Sequence, residues 1–141
     1  MQRDAPTSQS YVVFQIGENE FALPLFRIRQ ILSSEDLQEL AGGEQGKAGI
    51  VMHRGRAIDV LDLAKRLAIA GRSYRQQSII VLNEPSASRG ILVDSAPIVT
   101  TIEARQIHPL PTLVRSPGDP YEGIAKLGED RLAIVLDATR L

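Results

Sequence analysis

The chain of 141 residues contains no cysteine. It can therefore build neither a disulfide framework nor a thiolate metal site. Aromatic residues make up only 4%, so a core must come from Ile, Val, Leu and Ala, which favours sheet wherever the Ile and Val runs are short. No apolar run approaches the length of a membrane span, and the opening MQRDAPTSQS has no apolar segment of the signal-peptide kind. Direct membrane insertion is not expected. The net charge is −1 and no stretch is dense in Lys or Arg, which removes the general pull toward nucleic acid. The three Tyr and three Phe are spread along the chain, unlike a base-stacking platform in a basic groove.

Catalytic signatures are equally thin. AGGEQGKA (41–48) has the Gly-Lys of a phosphate loop, but Ala48 stands where a Mg²⁺-ligating hydroxyl would follow, and a strand comes next instead of a helix. A surface turn is the better reading. His53 and His108 are the only imidazoles, and neither has a His or Cys at metal-ligand spacing. No cofactor or metal is expected. The acidic pairs Glu35/Asp36 and Glu129/Asp130 fit a helix start and a turn.

What the chain does have is strand grammar. Residues 1–10 read as a disordered lead. Tyr11–Ile16 and Glu20–Leu25 read as two strands about a turn, whereas Phe26–Leu32 fits either a helical turn or a twisted strand. Ser33 to Asp36 signal a helix start, Leu37, Leu40 and Ala41 a short apolar stripe, and Gly42 and Gly43 a stop. Residues 72–77 are polar and suit a connection between subdomains. Ile79–Leu82 has the continuous apolar look of a strand covered on both faces, and Gly90–Val93 returns beside it after the loop NEPSASR. Thr100 with Glu103 fits a capping box for one helical turn. Residues 108–120, with four prolines, read as an irregular connection. Eight to ten short strands with few helices point to small barrels.

The organising stretch is GIVMHRGRAIDVLDLAKRL (Gly49–Leu67), a β-hairpin feeding a short helix over Asp62–Ala70 that Gly71 ends. Gly55 can take the positive φ of a tight turn. Arg54 beside it is a long cation on a rigid turn, so it is a candidate contact residue rather than only a solvated one. GIAKLGEDRLAIVLDATRL (Gly123–Leu141) echoes the pattern, with Asp62 and Asp137 as equivalent caps. Arginine greatly outnumbers lysine, which suits planar contacts with protein partners.

In order along the chain, YVVFQIGENEFALPLFRIRQIL, GIVMHRGRAIDVLDL, SIIVLN, GILVDS, IEARQIHPLP and YEGIAKLGEDRLAIVLDATRL resemble the CheW family of chemotaxis adaptors over nearly all of residues 11–141. The resemblance implies a mainly β fold, a pair of five-stranded SH3-like barrels packed intimately into one domain with a few short helices and no catalytic site. It implies two partners, the regulatory domain of a CheA-type histidine kinase and the cytoplasmic hairpin tip of a chemoreceptor. It also implies a cytoplasmic protein recruited to membrane-associated receptor arrays. Carried over by position, the partner-binding residues are Ile28, Gln30, Ile31, Gly49, Arg54, Gly55 and Val99. For Ile28, Ile31 and Val99 ordinary core positions are the competing reading. The sequence departs from the family pattern at Gln30, where an acid is usual, at Asp59 for a Pro, at Met52-His53 for Asn-Leu, and in the approach segment 41–48. A divergent scaffold in a pilus or other polar array is the alternative. A small β-barrel enzyme using His53 or His108 as base is the alternative from another class.

Overall fold

Val12, Phe14 and Ile16 alternate with Tyr11 and Val13, and all five side chains are buried. A strand with two apolar faces must lie between two layers. It is the centre of β1 (Ser8–Ile16). The computed structural model describes residues 7–39, 47–69, 77–84, 88–111 and 118–141. Within them β1 turns through Gly17 (φ 60°) into β2 (Asn19–Pro24). A 3₁₀ turn over Leu25–Arg27 leads to β3 (Ile28–Ser33), then β4 (Gln38–Glu39), β5 (Lys47–His53), β6 (Arg56–Asp62) and the helical turn α1 (Leu63–Arg66). The second half repeats the plan with β7 (Ser78–Leu82), β8 (Arg89–Val93), β9 (Ile98–Glu103), β10 (Ile107–Pro109), β11 (Tyr121–Gly128) and β12 (Arg131–Leu136).

Two curled sheets of identical construction result, in the orders β10-β11-β12-β2-β1-β9 and β4-β5-β6-β8-β7-β3. Each has six strands where five were expected, the addition being the two- or three-residue piece β4 or β10. In each sheet a central hairpin (β1–β2 or β7–β8) pairs in parallel with the end of a second hairpin and antiparallel with an edge strand. The chain, however, runs hairpin, tail, hairpin, tail. Hairpin β1–β2 therefore completes the sheet built from β9–β12, and β7–β8 completes the sheet built from β3–β6. The echo between Gly49–Leu67 and Gly123–Leu141 is one part of this longer repeat.

Three apolar clusters follow from the alternation. Tyr11, Val13, Ala22, Ile102 and Val135 fill the first sheet, and Val51, Ile58, Ile79 and Val81 fill the second. The third and largest is the seam, where Val12, Phe14, Phe21 and Leu23 of one sheet meet Ile80, Leu82 and Val93 of the other, together with Leu63 of α1. Phe14 and Phe21 stack there with ring centroids 6.1 Å apart.

Several local expectations change. Ser8, Gln9 and Ser10 belong to β1, paired with β9, and not to a disordered lead; residues 1–6 lie outside the described residues. The helix signal at Ser33 yields only a 3₁₀ turn over Ser34–Asp36, because Gln38 and Glu39 leave it to pair with Ile50 and Gly49. The open question at Phe26–Leu32 resolves into both answers in succession, a 3₁₀ turn and then β3. Thr100 lies inside β9, and the box forms three residues later, with the Gln106 side chain accepting from the Glu103 N–H at 2.7 Å. Helix α1 ends at Arg66, followed by Ala68 at φ 56°; Ala70 and Gly71 lie outside the described residues. His108 and Pro109 belong to β10, so the irregular connection starts later than expected. Lys47 and Ala48 already belong to β5, while 41–46 and most of the polar connection at 72–77 are not described.

Candidate functional site

The hairpin β5–β6 closes through Arg54 and Gly55, between the paired residues His53 and Arg56. Both turn residues have positive φ, 51° and 76°. That is the signature of the two-residue turn whose twist matches its strands, and Asn-Gly is its usual sequence. The expectation for Gly55 holds, and Arg54 is held left-handed as well. Gly49 has a different task. It is buried, and a Cβ there would stand 2.2 Å from the Gln38 carbonyl oxygen, so it permits the close approach of β4. Gly123 does the same beneath His108.

Cross-strand pairing divides the remaining candidates between two surfaces, because residues directly opposite one another share a face. Ile28 and Ile31 oppose Leu82 and Ile80, and Val99 opposes Val12. All three partners belong to the seam cluster. Ile28, Ile31 and Val99 therefore continue the seam outward along the edge strands β3 and β9. A register shift between Ile28 and Gln30 keeps Ile28 and Ile31 on one side. Ile28 packs partly against the seam, whereas Ile31 is 41% and Val99 58% exposed. Phe26, 60% exposed with the Arg27 guanidinium 5.1 Å from its ring centroid, is a contact candidate that the sequence reading missed.

Gln30 opposes Val81 and so faces the other way, into the mouth of the second sheet. There it lines a cavity of about 410 Å³ with Arg54, over the apolar floor of Ile58 and Val81. Arg29, His53, Arg56 and Ser88 complete the wall. Arg29 and Arg56 were missed as site residues; the signal was the R-x-R spacing about Ile28 and Gly55, legible only as a general excess of arginine. The structure thus brings Gln30 and Arg54 together and separates them from Ile28, Ile31 and Val99.

His53 lies in this cavity with Ser88, but no carboxylate among the described residues lines it. His108 is on β10 of the other sheet. Among the described residues no group of three or more His, Cys, Asp or Glu could hold a metal ion. Asp62 and Asp137 cap α1 and the final 3₁₀ turn, accepting from the N–H groups of Lys65 and Thr139 at 3.3 and 3.0 Å. No described helix is long and apolar enough to cross a membrane.

Two curled sheets joined at an apolar seam, with exposed apolar edges and a cationic mouth, define a protein scaffold of paired SH3-like barrels. A family model for the CheW-like domain matches residues 10–141, and the chain belongs to that family. It is 28% identical to the chemotaxis protein CheW of Klebsiella aerogenes over 135 residues, 94% of this chain and 81% of the relative. It is also 28% identical to the chemotaxis protein CheW of Thermotoga maritima, over 98% of this chain and 90% of the relative. The crystal structure of the scaffolding protein CheW from Thermoanaerobacter tengcongensis superimposes with a TM-score of 0.78 at 27% identity, covering 91% of this chain and 88% of that one.

Proposed function

We propose that the protein is a non-enzymatic adaptor of bacterial chemosensory signalling that couples chemoreceptor cytoplasmic tips to the regulatory domain of a CheA-type histidine kinase. The observation that carries this reading is the apolar rim on the seam face, Ile28, Ile31 and Val99. Apolar side chains left half-buried or exposed beside a sealed core suit the apolar stripe of a helical hairpin laid along the seam. Residues 11–141 act as one domain of two packed barrels. The protein is cytoplasmic and reaches the membrane-associated array through its partners, with no cofactor of its own. A scaffold for a pilus or other polar array is the second reading, favoured by Gln30, which puts an uncharged amide in the cationic mouth.

The test is capture followed by calorimetry against the regulatory domain of each CheA-type kinase, and the receptor tips, of the same organism. Binding of roughly micromolar affinity or tighter, lost in Ile31→Glu and Val99→Glu at unchanged melting temperature, supports the reading. A folded protein that binds none of these kinases or receptors overturns it.

A further inference from the structure

The two barrels treat equivalent cations differently. Through the strand pairings, Gly49, Val51, Ile58 and Val60 correspond to Gly123, Ala125, Ala133 and Val135, so Arg54-Gly55 corresponds to Glu129-Asp130 and Arg56 to Arg131. The parallel pairings Asp59 with Arg89 and Ile134 with Phe21 place Ser88 where the other barrel has Glu20. In the first barrel that position holds the cation from within the chain. Glu20 accepts from Arg131 through both carboxylate oxygens, from Nε at 2.8 Å and from Nη2 at 2.6 Å. In the second barrel Ser88 offers no charge, and Arg54, Arg56 and Arg29 make no hydrogen bond or ion pair among the described residues. No acidic side chain among those residues lines their cavity.

Three guanidiniums share this one cavity, in a chain whose net charge is −1. Arg54 also occupies a left-handed position that Asn or Gly would fill with less strain, and such conformations gather at binding sites. We propose that the cavity under the Arg54 turn is a receptor for a Glu or Asp side chain of a protein partner, the external counterpart of Glu20. This rests on the reading of the chain as a protein-binding adaptor. A guanidinium receives a carboxylate bidentately, as Arg131 does. The floor of Ile58 and Val81 suits the methylene groups of an acidic side chain, and an inorganic anion has no group to place on it.

The experiment is a nuclear magnetic resonance titration of the full chain, reading arginine Nε–Hε and backbone signals. The probes are a capped tetraglutamate peptide, its tetraglutamine counterpart and inorganic phosphate. Saturable shifts confined to Arg29, Arg54, Arg56 and their neighbours with tetraglutamate, absent with tetraglutamine, are expected. Arg29→Gln and Arg54→Asn should each weaken the binding about tenfold or more while remaining folded. Three outcomes overturn the proposal: no shift, shifts spread equally over Arg105 and Arg131, or phosphate binding as tightly as the peptide. A protein that binds a kinase domain but gives no shift with tetraglutamate loses this site and keeps its adaptor role. One that seats tetraglutamate but binds no kinase or receptor keeps the site and loses that role.

Discussion

Replacing Arg54 with Asn should make the protein more stable while making it a poorer binder. At φ 51° a residue with a Cβ costs on the order of 1–2 kcal/mol relative to the right-handed alternative. Asn tolerates this region better than Arg, because its short side chain can bond to the local backbone. The Arg54 side chain is exposed and makes no described hydrogen bond or ion pair that its removal would break. The net gain is therefore about 0.5–1 kcal/mol, half or less of the strain. For a chain of 141 residues that is a rise of about 2–4 °C in melting temperature. Arg54→Ala sets the baseline, since Ala is as poorly suited to positive φ as Arg, and its melting temperature should stay close to wild type. Calorimetry and circular dichroism of the three proteins decide the matter. A fall of several degrees in Arg54→Asn would mean that the guanidinium holds the fold together, which would refute both the strain estimate and the assignment of Arg54 to binding.

Gly49→Ala should cost more than Gly123→Ala, about 2–3 kcal/mol or more in urea denaturation, because its Cβ would lie 2.2 Å rather than 2.8 Å from a backbone oxygen that no rotamer change can move; equal and small effects would contradict this packing. Hydrogen bonds from Arg131 hold the Glu20 carboxyl below its ordinary value, outweighing the opposing effect of burial. Since the folded pKa is the lower one, this stabilisation is complete above the unfolded carboxylate pKa and disappears as pH falls through the folded value. Arg131→Gln should flatten the acid-side loss by at most about 1 kcal/mol, and an unchanged pH profile of the urea midpoint would show that the pair contributes nothing. A cut between residues 70 and 77 should leave two pieces that are unstructured apart and regain β-sheet circular dichroism when mixed, because each hairpin's sheet partners lie on the other piece; cooperative unfolding of either piece alone would refute the exchange.

Much of this fold is legible where a residue's local chemistry and its tertiary environment agree. Ile79–Leu82 reads as a strand covered on both faces and is one, with each residue buried. Asp62 and Asp137 read as caps, and both accept backbone N–H groups. The failures lie where pairing with a distant segment overrides a correct local signal. Ser33 does accept from the Glu35 N–H at 3.2 Å, as a helix cap would. The helix nonetheless stops after three residues, since β5 offers Gln38 and Glu39 a ladder that the sequence around Ser33 cannot announce. In the sequence the candidate residues form one group; strand alternation separates Gln30 from Ile31, but only the register shift in β3 separates it from Ile28 as well.

The repeat was half visible for a physical reason. Its tails keep the same residues because each must do the same exacting thing: a glycine under a crossing backbone, and an aspartate capping the turn that follows. Its central hairpins need only be apolar on both faces, a requirement that many sequences meet, so YVVFQI and SIIVLN share a pattern and little else. Exchange of these hairpins puts the seam between parts of the chain that would otherwise belong to separate units. The two sheets thereby share one buried apolar cluster. Variation is then tolerated at the turns, which the ladder does not constrain: Glu129-Asp130 in one barrel and Arg54-Gly55 in the other. A duplicated frame with turns of opposite charge gives one chain two dissimilar surfaces, which is what the proposed adaptor role requires of it.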